Sequence, residues 1–132
     1  MLIHDNKTLL LHRPYTNFAH NLWALPGGRL DGNETVRQAM VREAYEELGI
    51  TVKAEDLTFM HVVHEKFIDK ELIAFFFSAH TWEGTAYNKE PEKHSKAEWF
   101  DIDKLPHDLH RVHIQGLACA KKNISYSEFG FE

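Results

Sequence analysis

An arginine, four glutamates and two glycines lie at fixed distances in the segment GRLDGNETVRQAMVREAYEELGI, residues 28–50. Three of the acids, Glu43, Glu46 and Glu47, are three and four residues apart. On a helix this spacing brings their carboxylates to one face. Clustered like charges destabilise a helix, and Arg42 supplies one positive charge against three negative ones. The pattern predicts a site for a hard divalent cation, Mg²⁺ with Mn²⁺ as a substitute, because all these ligands are oxygens.

The same segment predicts the helix that would hold these acids, from Thr35 to Leu48. Thr35 followed by Gln38 fits a capping box, and Gly49 fits the left-handed stop of a helix. Apolar residues recur at three- and four-residue steps, as expected for an amphipathic helix: Val36, Ala39, Met40, Ala44 and Leu48.

The ordinary alternative is an exposed acidic helix face with a local pair between Arg42 and Glu46. An exposed acidic face does not require Gly28, Glu34 and Gly49 to lie at fixed distances from the acids. The divalent-cation site is therefore the preferred interpretation. Ahead of the helix, residues 22–28 read as a short apolar strand that ends in a Pro-Gly-Gly turn, where the backbone passes close to another group.

The complete pattern resembles the Nudix box, with Gly28, Glu34, Arg42-Glu43, Glu46-Glu47 and Gly49 at the matching positions. The resemblance implies an α/β/α sandwich with a mixed β-sheet between helices. It also implies Mg²⁺-dependent hydrolysis of a nucleoside diphosphate linked to another moiety. One departure is that the family often has Glu-x-Gly-Glu before the helix, where this chain has Asp-Gly-Asn-Glu at 31–34, so the turn is moved.

The resemblance also implies roles for individual residues. Glu46, Glu47 and the carbonyl of Gly27 would bind metal. Glu43 would be either a further ligand or the base that activates water. Glu34 and Arg42 complete the expected catalytic set, because they would lock the loop and the carboxylates in place. The number of metal ions stays open.

A second stretch, NKEPEK at 88–93 followed by Trp99-Phe100, resembles a signature of some small Nudix nucleotide hydrolases. In such proteins a loop acid here completes the metal site or serves as the base. Glu92 and Glu90 are both candidates for this role, with Glu92 preferred as the metal ligand and Glu90 also assigned to substrate contact, against the alternative of an ordinary charged loop. Trp99 and Phe100 are expected in the core.

The remaining substrate contacts are predicted at Gly28, Arg13, Phe18 and Trp23. Arg13 ends the first strand where similar chains put a basic residue near phosphates, and its alternative is a surface charge. Phe18 and Trp23 could stack on a nucleobase, although core packing is the commoner role of such residues.

The substrate class has several candidates. The short chain and the EPEK-like stretch favour a MutT-like nucleoside triphosphate pyrophosphohydrolase, with oxidised or deoxy nucleotides among its substrates. ADP-ribose, NADH and nucleotide sugars are the alternative. Two further alternatives are a non-catalytic nucleotide-binding Nudix module, which the retained box glutamates argue against, and an RNA 5′-end pyrophosphohydrolase, which the lack of a basic run argues against.

Composition limits the remaining possibilities. The 132 residues predict one domain over 1–132, and a net charge of −5 argues against an extended nucleic-acid surface. The longest apolar run is too short for a membrane span and no signal pattern is visible, so a cytoplasmic location is expected.

Nudix domains often pair, so the resemblance makes a homodimer an expectation. The family usually carries a further strand before 9–13, so that strand is short or the native start lies upstream.

The predicted strands cover 8–12, 22–25, 58–64, 72–81 and 97–101, and a second helix covers 108–122. Cys119 is expected to pack within that helix. None of the ten histidines has a spacing that predicts a transition-metal site. His107, His110 and His113 are expected on the solvated side of the second helix.

Overall fold

The computed structural model describes residues 1–14 and 21–132, so the prediction for Phe18 lies outside the described residues. Within the described ranges the strands are β1 (Ile3–His4), β2 (Lys7–Arg13), β3 (Leu22–Ala24), β4 (Thr58–Lys66), β5 (Glu71–Ser78), β6 (Lys96–Asp101) and β7 (Tyr126–Phe129). The helices are α1 (Val36–Leu48) and α2 (Arg111–Lys121), with a short 3₁₀ turn at Ala54–Asp56.

The strands form two sheets. In the first, β2 pairs antiparallel with β1, β3 and β6. In the second, β4 lies between antiparallel β5 and parallel β7, so this sheet is mixed. A single parallel bridge between Leu2 and Ala79 brings the start of the chain beside the end of β5.

Strand β2 divides its side chains between two cores, because successive residues of a strand point to opposite faces. Leu9 and Leu11 pack in one core with Ala44 and Leu48 of α1. Leu10 packs in the other, where Val112 of α2 is also buried. All three leucines are almost fully buried. The sheets therefore lie between the two helices, as predicted.

Helix α1 forms within one residue of its predicted start, with Thr35 as the N-cap. The Thr35 hydroxyl accepts a hydrogen bond from the Gln38 N–H at 3.1 Å, and the Gln38 side chain accepts one from the Thr35 N–H at 2.8 Å. Gly49 ends the helix in the left-handed conformation, with φ of 69°. The reciprocal cap and the glycine fix both ends of the helix that carries the acids.

Helix α2 begins three residues later than predicted. Residues 108–110 run beside β3, where the Trp23 N–H donates to the Asp108 carbonyl at 3.0 Å and the His110 N–H donates to the Trp23 carbonyl at 2.8 Å. These backbone groups are paired with a strand and are unavailable to a helix. Cys119 lies within α2 and is half-buried.

Among the described residues, neither helix has the length and apolar composition that crossing a bilayer requires.

Candidate active site

Arg42 joins the loop before α1 to the acids on the helix. Its guanidinium holds both carboxylate oxygens of Glu34, with Nε to Oε2 at 3.0 Å and Nη2 to Oε1 at 2.8 Å. Nη1 donates to Glu43 at 3.0 Å and to Glu46 at 3.2 Å, and Nη2 also donates to the Arg29 carbonyl. The hydrogen bond from Arg42 lowers the pKa of Glu34 to about 2, helped by the Asp31 N–H. A bidentate contact of this kind fixes the orientation of both side chains in addition to pairing their charges, so the loop is held against the helix.

Glu47 is the buried acid of the cluster, with 3% of its surface exposed. Its Oε1 accepts the Gly27 N–H at 2.7 Å. Burial raises the pKa of Glu47 to about 8, and the nearby charge of Glu43 acts in the same direction, while the Gly27 N–H opposes it. A desolvated carboxylate beside other acids is unfavourable when it is charged, and a bound cation would relieve that cost.

Glu43 lies directly under the Pro-Gly-Gly turn. A Cβ on Gly28 would fall 2.1 Å from Glu43 Oε1, so only glycine fits there without moving the carboxylate. Burial raises the pKa of Glu43, opposed by the hydrogen bond from Arg42. The turn therefore sets the position of Glu43, a carboxylic acid with a raised pKa.

The loop at 88–94 brings a second acid to Glu47. The Asn88 side chain accepts the Glu90 N–H at 3.2 Å and donates to the His94 carbonyl at 2.7 Å, and the His94 N–H donates to the Glu90 carbonyl. One potential ligand atom each from Glu47, Glu90 and His94 lies within 4.8 Å of the others.

This geometry differs from the predicted role of Glu92. Glu92 is exposed and does not belong to the three-residue group, whereas Glu90, the second candidate for the loop acid, does. The turn around Asn88 directs Glu90 inward, which the spacing of the two acids could not reveal. His94 was missed, and its signal in the sequence is its position four residues after Glu90.

The donor set fits a hard divalent ion. Glu47, Glu90 and the adjacent Glu43 offer carboxylate oxygens, the ligands that Mg²⁺ and Mn²⁺ share. Glu46 has 48% of its side chain exposed and pairs with Arg42, so it lies at the outer side of the cluster.

A cleft of about 500 Å³ opens beside Glu43. Its walls are largely apolar and come from β5, the first half of α1 and the loop at 27–30. Its described lining includes Leu25, Pro26, Val36, Met40, Leu72, Ala74, Phe75, Phe76, Arg13, Arg29 and His113. The volume is within the range of roughly 300–1,000 Å³ typical of small-molecule sites.

Arg13 is a basic residue in the wall of the cleft. Its charge acts on Glu47 as well as on His94 and His113. Its Nε is buried and has no hydrogen-bond partner among the described residues. A buried, unpaired guanidinium donor beside an opening is suited to an anionic ligand.

His113 is on the inner side of α2, so the expectation of a solvated position was wrong. Its Nδ1 accepts the Leu25 N–H at 3.1 Å, and its ring lies edge-on against Phe76. Burial, followed by the charges of His110 and Arg13, lowers the pKa of His113 to about 3. The helix turns this face inward because it packs on the second sheet. His107 is exposed.

Trp23 is also placed differently from its predicted role in stacking. It is 7% exposed and makes edge-on contacts with Phe100 at 4.7 Å and His12 at 5.0 Å between ring centroids. Since these neighbours bury the indole in the core, it is not available to a nucleobase. Phe100 is part of that packing, whereas Trp99 is 37% exposed and stacks on Trp82.

Comparison with known proteins agrees with this geometry. Residues 1–118 match the model of the NUDIX domain family. The chain is 33% identical over 85 residues to an 8-oxo-dGTP diphosphatase of Proteus vulgaris, which covers 64% of this chain and 74% of that protein. It is 33% identical over 102 residues to an ADP-ribose pyrophosphatase of Methanocaldococcus jannaschii, covering 77% and 59%. The crystal structure of a MutT NUDIX hydrolase from Burkholderia pseudomallei superposes with a TM-score of 0.81 at 31% identity, covering 89% of this chain and 90% of that one.

The chain belongs to the NUDIX domain family. It is an enzyme of the Nudix pyrophosphohydrolase type with the mixed α/β fold of MutT structures. The predicted family, fold and enzyme class are confirmed.

Proposed function

We propose that this enzyme hydrolyses a nucleoside triphosphate, with oxidised and deoxy forms among its substrates, to a nucleoside monophosphate and pyrophosphate. The observation that carries the proposal is the apolar cleft that opens onto Glu43 and Arg13. A nucleotide bound there can pack its base against apolar side chains while its phosphates reach the acidic cluster. The likeness to an 8-oxo-dGTP diphosphatase supports the choice of a triphosphate.

Arg13 is the proposed contact to the phosphates. Its buried Nε has no partner among the described residues, so a phosphate oxygen that accepts from it would remove a desolvation cost. The Gly28 turn passes close to the carboxylate of Glu43 and would bring backbone to the same phosphates.

The proposed metal is Mg²⁺, with Mn²⁺ as a substitute. The residues that would hold it are Glu47 and Glu90. Glu46, the Gly27 carbonyl and Glu43 are the other members of the predicted metal set that we retain, and Glu90 takes the place of Glu92, which is exposed. Mg²⁺ bound here would neutralise the phosphate oxygens and lower the pKa of the attacking water. Arg42 and Glu34 act by holding the carboxylates in position.

Glu43 is the proposed general base. It lines the cleft, and a raised pKa improves a carboxylate as a proton acceptor at neutral pH. Arg42 donates a hydrogen bond to Glu43 Oε1 and so holds the carboxylate in one orientation. The carboxylate can still accept a proton from water. Glu90 is the alternative base, because it is the loop acid that is grouped with Glu47 and His94.

The substrate is tested by measuring products from canonical and oxidised nucleoside triphosphates, ADP-ribose, NADH and nucleotide sugars, in Mg²⁺ and then in Mn²⁺. Pyrophosphate from triphosphates is the expected result. Two phosphomonoesters from ADP-ribose in preference to triphosphates would instead support the second candidate, which the 33% identity to an ADP-ribose pyrophosphatase favours. No turnover of any compound would contradict both.

A homodimer is proposed with this function on the resemblance to other Nudix domains. The chain has a mass of 15.4 kDa, so light scattering after size exclusion distinguishes a monomer from a dimer.

A further inference from the structure

His94 is a buried histidine at the end of the loop that carries Glu90. Its side chain is 4% exposed. The turn that positions it is closed by the bond from Asn88 to the His94 carbonyl and by the bond from the His94 N–H to the Glu90 carbonyl. The imidazole is thus directed towards Glu47 by its own loop.

Packing alone does not explain this imidazole. His94 Nε2 lies 3.5 Å from Glu47 Oε2, longer than an ordinary hydrogen bond. Nδ1 is buried without a partner among the described residues. Buried polar atoms are normally paired, and an unpaired one costs stability. Nε2 is the ring nitrogen that faces Glu47, so it is the atom that an ion between the two side chains would take.

The three side chains have the arrangement of a mixed nitrogen and oxygen site. Ligand atoms of Glu47, Glu90 and His94 lie within 4.8 Å of one another, which is close enough for one ion to reach all three. Two carboxylates supply charge and a neutral imidazole supplies a softer donor. Imidazole ligands favour transition ions, whereas Mg²⁺ takes oxygen ligands.

We infer that His94 is a direct ligand of the metal ion held by Glu47 and Glu90, and that its imidazole raises the affinity of this position for Mn²⁺ more than its affinity for Mg²⁺. The inference rests on the proposed function, because it concerns the same metal site. It adds a nitrogen ligand to the oxygen ligands described above. The competing role for His94 is to orient Glu47 without touching the ion.

Pulsed electron paramagnetic resonance of the full chain loaded with Mn²⁺ separates these roles. A directly bound imidazole gives ¹⁴N modulation of the Mn²⁺ signal, and this changes to the ¹⁵N pattern when only the histidines carry ¹⁵N. We expect both effects in the unmodified protein. Bound Mn²⁺ without nitrogen modulation would overturn the inference and leave the proposed function intact. Failure to bind any divalent ion would count against the proposed function itself.

Substitution then assigns the nitrogen to one residue. His94→Gln is expected to remove the modulation, while His107→Gln, a change at an exposed histidine, is expected to keep it. Modulation that survives in a folded His94→Gln protein would overturn the assignment. If that variant does not fold, the pair of ¹⁴N and ¹⁵N spectra of the unmodified chain still decides whether a histidine is bound.

Calorimetric titration tests the metal preference. Loss of a residue that only orients a ligand typically costs about 10–100-fold in metal affinity, so we expect His94→Gln, which removes a ligand, to weaken Mn²⁺ binding by at least about tenfold and to weaken Mg²⁺ binding less. Equal weakening for the two ions would overturn the claimed preference, because an orienting role affects both alike.

Discussion

At the scale of single residues, the site depends on close contacts that different parts of the sequence supply. The resemblance to the Nudix box implied that Glu34 and Arg42 hold the loop and the helix together, and Arg42 does donate hydrogen bonds to both carboxylate oxygens of Glu34. The contact of Gly28 with Glu43 explains why glycine stands there. The inward position of Glu90 could not be predicted, because the side chain of Asn88 determines it.

Gly28→Ala should impair catalysis more than stability. The added Cβ would lie 2.1 Å from Glu43 Oε1 and would push that carboxylate out of position. Misplacing a reacting group by about 1 Å can cost on the order of 100-fold in rate, so we expect a loss of that size in kcat. Steady-state kinetics and the thermal midpoint measure the two effects. Unchanged kcat in a folded variant would show that the position of Glu43 does not matter.

Arg42→Lys should reduce kcat/KM by about 10–100-fold. Lysine keeps the charge, but it cannot hold both oxygens of Glu34 while it also contacts Glu43. Arg111→Lys is the matched control, because Arg111 is exposed on α2. Activity within twofold of the unmodified enzyme in Arg42→Lys would contradict the positioning role.

At the scale of elements, α1 was predictable because its signals are local. Its N-cap and its terminal glycine are read from residues adjacent to the helix, and both form as expected. The start of α2 was not predictable from the helix pattern, since residues 108–110 are taken by backbone bonds to β3. Strand β7 was missed because its signal is not local. It pairs with β4, which lies about sixty residues earlier in the sequence, and α2 comes between the two strands along the chain.

Gly49→Ala should destabilise the protein by at least about 2 kcal/mol. A left-handed alanine costs roughly 1–2 kcal/mol, and its Cβ would also lie 2.4 Å from the ring of Tyr87. Gly32→Ala is the control, because Gly32 is also left-handed but has open space around its Cα. Urea unfolding gives both values. Equal losses in the two variants would show that the contact with Tyr87 adds nothing.

At the scale of the whole molecule, two helices enclose the sheets and α2 carries a histidine into the wall of the cleft. The sequence predicted strand β2 itself, and its three consecutive leucines, Leu9, Leu10 and Leu11, are divided between two cores because successive residues of a strand point to opposite faces. The position of His113 was predicted wrongly because three-residue spacing on a helix does not reveal which face the sheet will cover.

His113 should make stability depend on pH. Its pKa is lowered from 6.5 to about 3 on folding, so the unfolded chain binds more protons between these values. Stability from this group is therefore complete above about pH 6.5 and falls as the pH decreases, by up to about 1.4 kcal/mol per pH unit. We expect a shallower decrease between pH 6.5 and 4 in His113→Gln than in the unmodified protein.

The matched control is His80→Gln, at an exposed position. Its pH dependence of unfolding should match that of the unmodified chain. Identical slopes for His113→Gln and His80→Gln would contradict the buried, neutral state of His113.

The central claim is that the buried Glu47 forms part of a metal-dependent site that hydrolyses nucleoside triphosphates. The most direct test is pyrophosphate release from a nucleoside triphosphate as Mg²⁺ is titrated, for the unmodified enzyme, Glu47→Gln and the exposed control Glu55→Gln. Glutamine can still accept the Gly27 N–H but carries no charge for the ion, so we expect turnover to fall by at least about 100-fold in Glu47→Gln and to stay normal in Glu55→Gln. Turnover of Glu47→Gln within a few-fold of the unmodified enzyme, or pyrophosphate release that persists after chelation of divalent ions, would contradict the claim.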